Sequence, residues 1–267
     1  MNGPLFRHTW RTQALTLTFV SIALASWGFL MPVIYARFGS QFRVLMESGV
    51  LPEEFARLGG GDIFSLPGSI ALGFIHPIAL ILTSVFTVGF STSAVAGERQ
   101  RGTLEVALAR PISRRVFYLT LLGASLTFVA VSAAALLLGS VAGSVFSGVI
   151  GELAIARLPL LWLNGVLLFG ALAAVGLAAS VSFDRLRPAL GLTLGIVITM
   201  YFLEILGSLW PAAEKLQPFS LFHYLKPKTV LLGDANPFDF AVLATVLLAA
   251  AVWALVVFPR RDLGAPS

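Results

Sequence analysis

Long apolar runs separated by short polar connections dominate this sequence. Each run reaches the length of about 20 apolar residues that a helix needs to cross the hydrocarbon of a bilayer. The pattern predicts an all-α integral membrane protein with a single transmembrane domain over residues 1–267. Six transmembrane helices are expected at about 14–35, 67–96, 116–145, 158–183, 189–210 and 240–258.

Three features interrupt this regular alternation. His76-Pro77 lies inside the second run, where a proline removes a backbone donor and bends the helix. Residues 37–66 are polar and predict an outer loop with an amphipathic turn at 52–58. Residues 211–239 contain four prolines and several aromatic side chains. They predict a broken, re-entrant outer segment of one or two short helices before the sixth span.

The composition is that of a membrane protein, and it excludes some kinds of site and partner. Hydrophobic residues make up 57% of the chain and charged residues only 12%, about half the charged share of a soluble domain. With no cysteine, disulfides and thiolate metal sites are excluded. The basic residues lie between apolar runs, where such residues orient membrane helices. We therefore expect the chain to associate with a lipid membrane and not with a nucleic acid.

The distribution of charge predicts the topology. The predicted inner segments carry eleven basic and four acidic residues, whereas the outer segments carry seven and eight. This asymmetry has the sign of the positive-inside rule when both termini are cytoplasmic. A short loop between the second and third spans is then an inner loop.

The sequence lacks the residues for binding a nucleotide or a metal. No lysine follows a glycine, so there is no phosphate-binding loop, and ATP with its Mg²⁺ would have to bind another chain. His8, His76 and His223 lie on three separate segments without metal-ligand spacing. We therefore predict no catalytic residues, no metal and no cofactor bound by this chain itself.

Two polar residues within predicted spans are candidates for a functional role. Ionisable side chains in the membrane are costly and usually face a bundle interior or water. His76 is interpreted first as a packing residue beside the bend, with a functional role as the alternative. For Glu204, a position facing the interior and a position reaching water at the outer end of the fifth span both remain open.

The charged stretch 96–115 is the densest run of charge in the chain. Gly102 and Pro111 frame a short segment in which Leu104, Ala107 and Leu108 share one helical face. A solvated positive-inside loop explains the arginines but neither the apolar face nor the framing turns. The pattern favours an amphipathic helix that meets a partner.

The residues Glu98-Arg99-Gln100-Arg101-Gly102-Thr103-Leu104-Glu105, followed by Ala109-Arg110-Pro111-Ile112-Ser113-Arg114, resemble the cytoplasmic loop of type-2 ABC exporter permeases. The order of spans and the segment Gln217-Pro218-Phe219-Ser220 before the last span are also similar to that family. The resemblance implies a coupling helix that docks into a separate ATPase subunit.

The same resemblance implies the roles of particular residues and the partners. It assigns coupling to Glu98, Arg99, Arg101, Gly102, Thr103, Leu104, Glu105 and Leu108, and the outer gate to Pro218, Phe219, Phe222 and Tyr224. It further implies a homodimer or heterodimer of permeases in the cytoplasmic (inner) membrane of a bacterium or archaeon. The function expected is export of a drug, lipid or other hydrophobic or amphipathic compound.

Three alternatives remain at this stage. A permease similar to those of nitrous-oxide reductase operons would serve copper-site maturation, although the few Met and scattered His form no copper relay. An intramembrane protease would use Glu53-Glu54 with Phe219-x-x-x-His223, but Arg57 follows the diglutamate at the wrong spacing. A non-transporting membrane anchor of an ATPase signalling complex is the third.

Overall fold

The computed structural model describes residues 1–48, 64–105 and 112–261, and every regular element within these ranges is a helix. The longer helices are α1 (Gly3–Glu47), α2 (Leu66–Ile75), α3 (Pro77–Ser84), α4 (Arg114–Phe146), α5 (Leu158–Ser182), α6 (Leu186–Leu209), α7 (Pro227–Leu232) and α8 (Pro237–Arg260). After α3 the chain continues through π-helical turns at Val85–Phe90 and Ser93–Gly97 into the short α-helical turn Glu98–Gln100.

Membrane-spanning length is reached by five of the described helices, and by a sixth if α2 and the segment Pro77–Phe90, which begins with α3, form one bent span. The pair is bent by 43° at His76-Pro77, as the proline predicted. Each of the six predicted spans therefore has a helical counterpart. Ser113 caps the start of α4 with its side chain.

The first helix corrects the prediction of an outer loop beginning at residue 37. α1 runs without interruption over 45 residues to Glu47. Between residues 37 and 47 there is no proline, and Gly39 is the single glycine, so nothing in the backbone stops the helix. The amphipathic turn predicted at 52–58 lies outside the described residues.

The predicted outer segment is also more finely divided than expected. It contains two 3₁₀-helices, Pro211–Phe219 and Leu221–Tyr224, and then α7, which makes three short helices rather than one or two. Prolines near the start of the first and last of these set the breaks.

α1 and α4 pack with their backbones in contact. A Cβ added at Gly28 would overlap the carbonyl oxygen of Leu136, and one added at Gly139 would overlap that of Ala25. Gly143 faces α1 in the same way. The hydrophobic effect does not drive helices together in lipid. Small residues at such an interface instead let the backbones approach closely, so that van der Waals packing holds the helices together.

The break in the second span is stabilised by side chains from two other helices. Gly73 would normally accept a hydrogen bond from residue 77, but Pro77 has no N–H. Trp27 Nε1 donates to the Gly73 carbonyl instead, at 3.0 Å. Tyr201 Oη donates to the carbonyl of Ile75 at 3.1 Å. The carbonyls of Gly73 and Ile75 are therefore satisfied without water, as the hydrocarbon requires.

His76 lies at the break and has a structural role there. Its Nδ1 accepts from the Ile78 N–H at 3.3 Å and so caps α3. Its ring lies 4.6 Å from the ring of Trp27, measured between centroids. These contacts agree with the interpretation of His76 as a packing residue beside a bend.

Candidate functional site

The helical turns that follow the second span end in a tight reversal at Gly102. This residue has φ +72°, in the left-handed region that favours glycine. Gly102 N–H donates to the carbonyl of Arg99 and Thr103 N–H to that of Glu98, both at 3.0 Å. This pair of bonds is the Schellman arrangement, which ends the helix and turns the chain back toward the bundle.

The Glu98 side chain closes the reversal. Thr103 Oγ1 donates to the Glu98 carbonyl at 3.1 Å and also to its carboxylate, which the Arg101 guanidinium contacts as well. Burial raises the pKa of Glu98, but the hydrogen bonds from Thr103 and Arg101 outweigh it and leave the pKa below its ordinary value. Glu98 is therefore ionised at neutral pH, and its contribution to the turn is lost only as the pH falls through this lowered pKa.

The residues of the turn divide into an exposed and a buried set. Arg101, Gly102, Thr103 and Glu105 are exposed, and we call them the inner surface. Leu104 is 2% exposed and packs among apolar residues of α4 and α5. Leu104 thus anchors the turn in its own bundle, whereas Ala107 and Leu108, expected to share a face with it, lie outside the described residues.

Arg99 also faces inward. Its side chain is 10% exposed, and its Nη1 lies 2.7 Å from Asp184 Oδ1 in the turn between α5 and α6. Asp184 binds the guanidinium of Arg261 as well, beyond the end of α8. Gln100 Oε1 accepts from the Leu186 N–H at 3.0 Å and so binds the start of α6. These contacts join one end of the second, fourth, fifth and sixth spans at this turn.

Glu204 is covered by the outer segment. Gln217 Nε2 donates to the Glu204 carbonyl at 3.1 Å and approaches its carboxylate at 3.4 Å. His223 Nδ1 lies 3.8 Å from the second carboxylate oxygen. The carboxylate therefore lies between α6 and the 3₁₀-helices. This position is intermediate between the two that the sequence left open, one facing the bundle interior and one reaching water.

The four residues assigned to an outer gate differ in their surroundings. Phe222 is 2% exposed and meets Tyr201 edge to face, with ring centroids 5.4 Å apart. Tyr224 Oη donates to the Pro218 carbonyl at 2.9 Å, whereas Phe219 is 74% exposed. Phe222 is thus the member of this set that is inserted into the helical bundle.

A family model described as ABC-2 family transporter protein matches residues 7–263, nearly the whole chain. The chain belongs to the ABC-2 transporter family. It is therefore an integral membrane protein and the membrane component of an ABC transporter, whose family implies an ABC ATPase as partner. A comparison with curated proteins found no match.

In this ABC-2 transporter, the alternative chemistries receive no support from the described residues. Among them, no three His, Cys, Asp or Glu side chains form a group that could hold a metal ion. Of the constellation considered for a protease, Glu53-Glu54 lies outside the described residues, and His223 approaches Glu204 instead. The family match favours a transporter over a protease.

Sequence reasoning missed several residues that fix the inner surface of this transporter. Gln100, Asp184 and Arg261 join the turn to other helices through the contacts described above. Arg114 Nη1 donates to the carbonyl of Arg261 at 2.6 Å and ties the start of α4 to the end of α8. The sequence did mark these positions, because charged residues at the ends of apolar runs must bind a partner or water. It could not show which residues pair, since the pairing depends on the fold.

Proposed function

We propose that this chain is the permease subunit of an ATP-driven exporter that moves a drug, lipid or other hydrophobic or amphipathic compound out of the cytoplasm. ATP and Mg²⁺ are held by separate ATPase subunits, and two permease chains, identical or homologous, form the translocation path. The observation that carries the proposal is the family match together with the capped turn at Glu98 to Glu105. The turn presents charged groups on a fixed backbone.

In this proposal the inner surface is the part of the chain that an ATPase subunit contacts. Arg101 and Glu105 offer charges of both signs there, and Gly102 and Thr103 expose backbone and a hydroxyl. Leu104 and Arg99 do not contact the ATPase but fix the turn to the helical bundle, since both side chains are held by it. Movement of the ATPase then reaches the transmembrane helices because the turn cannot move independently of them.

The charge asymmetry supports cytoplasmic termini and a cytoplasmic inner surface in the inner membrane of a bacterium or archaeon. The outer segment then lies on the opposite side, where Phe222 and the contacts of Glu204 with Gln217 and His223 hold it against α6. Alternation between inward-open and outward-open packings requires two states of similar free energy, which ATP binding biases. The outer segment is the proposed gate of the outward-open state.

The test uses the chain reconstituted with its ABC ATPase and measures hydrolysis of Mg·ATP. Glu98→Ala removes the carboxylate that Thr103 and Arg101 contact but keeps the Glu98 carbonyl, so the side chains of Thr103 and Arg101 lose their fixed positions on the turn. We expect the complex of this variant to lose the stimulation of ATP hydrolysis that the wild-type permease gives, while the protein still inserts into the membrane.

Glu152→Ala is the matched control. Glu152 is an exposed carboxylate at the far end of the bundle, where it accepts from Tyr35 Oη at 2.7 Å. This variant should stimulate hydrolysis as the wild type does. Equal stimulation by the Glu98 and Glu152 variants would contradict the assignment of the inner surface to coupling.

A further inference from the structure

The hydroxyl of Ser180 on α5 binds three backbone groups of the second span. Its Oγ donates to the Thr92 carbonyl at 2.7 Å and accepts from the N–H groups of Val95 at 3.0 Å and Ala96 at 2.9 Å. Ser180 is fully buried, at 0% exposure. The second span is π-helical at this point, and π-helical turns occur frequently at functional sites.

Two neighbours of Ser180 on the same side of α5 extend this contact. Gly176, one turn earlier, faces the preceding π-helical turn, Val85–Phe90, and a Cβ added there would lie 2.9 Å from the Thr87 carbonyl oxygen. Asp184, just beyond the end of α5, pairs with Arg99. The inner part of the second span, from residue 87 to residue 99, is therefore held against the fourth span along its length.

The Ser180 contact differs from the apolar packing around it. Apolar attraction has no preferred direction, whereas a hydroxyl that both donates and accepts fixes one register between two helices. Removal of the hydroxyl leaves a carbonyl and two N–H groups to find other partners in a dry environment. The three bonds of Ser180 therefore hold α5 and the second span in one relative position.

We propose that Ser180 is a positioning residue that makes the fourth span follow the inner turn when the ATPase moves it. This inference rests on the proposed function and goes beyond it, because α5 is not adjacent in sequence to the inner surface. Through α5 and the Gln100 contact with Leu186, the movement reaches the start of α6 and hence the second half of the chain.

The first measurement is amide hydrogen exchange in the isolated permease. Ser180→Ala should raise the exchange rate of the segment containing Val95 and Ala96 about tenfold, the factor expected for one lost hydrogen bond. Ser144→Ala is the matched control, since Ser144 is equally buried and donates to Ser140 of its own helix at 2.8 Å. Unchanged exchange in the Ser180 variant would overturn the proposal.

The second measurement is the same exchange in the complex with the ATPase, with and without Mg·ATP and vanadate. In the wild type and in Ser144→Ala, nucleotide should alter exchange in residues 98–105 and in residues 183–190. In Ser180→Ala the response should persist in residues 98–105 and fall at least about threefold in residues 183–190. An undiminished response in residues 183–190 would overturn the inference and leave the proposed function intact.

The absence of any nucleotide response in residues 98–105 of the wild type would instead contradict the proposed function itself.

Two further variants protect the test against misfolding of Ser180→Ala. Ser180→Thr keeps the hydroxyl and should restore the response in residues 183–190. Asp184→Asn weakens the Arg99 pair at a side chain that is 51% exposed, so folding is not at risk, and it should reduce the same response. Full responses in Asp184→Asn together with no rescue by Ser180→Thr would overturn the proposal.

Discussion

Gly102→Pro is expected to abolish the coupling of ATP hydrolysis to this permease. Proline fixes φ near −65°, whereas Gly102 has φ +72°. Proline also removes the N–H that donates to the Arg99 carbonyl. The reversal after Glu98 cannot form with proline at this position, so the inner surface loses its shape and its direction.

A graded series at Gly102 separates backbone shape from side-chain bulk. A Cβ at this position meets nothing within 4 Å, so any effect of a small residue comes from the left-handed backbone alone. Gly102→Ala should cost about 1 kcal/mol of turn stability and weaken coupling in part, and Gly102→Asn should retain most of it. The measurement is Mg·ATP hydrolysis by the reconstituted complex across the series.

Gly148 provides the matched control at the opposite end of α4. It also has φ +72° with open space around it, and the same pair of hydrogen bonds forms there, from Gly148 N–H to Val145 and from Val149 N–H to Ser144. Gly148→Pro should therefore disturb its local turn to the same extent and leave coupling intact. Equal loss of coupling in the two proline variants would show that general destabilisation, and not the inner surface, is responsible.

Gly139→Ala is expected to destabilise the whole bundle. Its Cβ would overlap the carbonyl of Ala25, which is backbone and cannot rotate away, so α1 and α4 would have to separate. Overpacking by a methyl group already costs about 1–3 kcal/mol where side chains can adjust. Here we expect a loss above about 3 kcal/mol, a large share of a typical stability of about 5–15 kcal/mol. Thermal unfolding of the purified protein in detergent measures it.

Gly191 and Gly195 on α6 supply the control for this substitution. A Cβ at either position meets nothing within 4 Å, and both residues are exposed on the helix. Alanine there should leave stability unchanged or raise it by about 1 kcal/mol, because glycine is the poorer helix former. A Gly139→Ala protein as stable as Gly191→Ala would contradict the close packing of α1 against α4.

Much of the fold followed from the sequence because hydrocarbon imposes a simple rule on length and polarity. The apolar runs predicted the spans, and Pro77 predicted the bend. The end of α1 at Glu47 was missed, since residues 37–47 are polar yet compatible with a helix that extends beyond the apolar run. Polarity marks where a membrane span ends but does not stop a helix.

The site was predictable in its location and less so in its contacts. Gly102 could be recognised as a helix end, because glycine at such a position is a local signal. The inward positions of Leu104 and Arg99 depend on α4, α5 and Asp184, which are distant in sequence. The π-helical turns have no signature in the local sequence, which looks like that of a regular helix. Their contact with Ser180 joins two helices that are distant in sequence, so it could not be predicted either.

The most direct test of the central claim is photo-crosslinking from the inner surface. The chain carries a photoreactive amino acid either at Glu105, which is exposed beside the turn, or at Phe146, which is 70% exposed at the far end of α4. We expect irradiation of the assembled complex to join the ABC ATPase to the chain labelled at residue 105 and not to the chain labelled at residue 146. A cross-link to the ATPase from residue 146, or none from residue 105 in a complex that contains the ATPase, would contradict it.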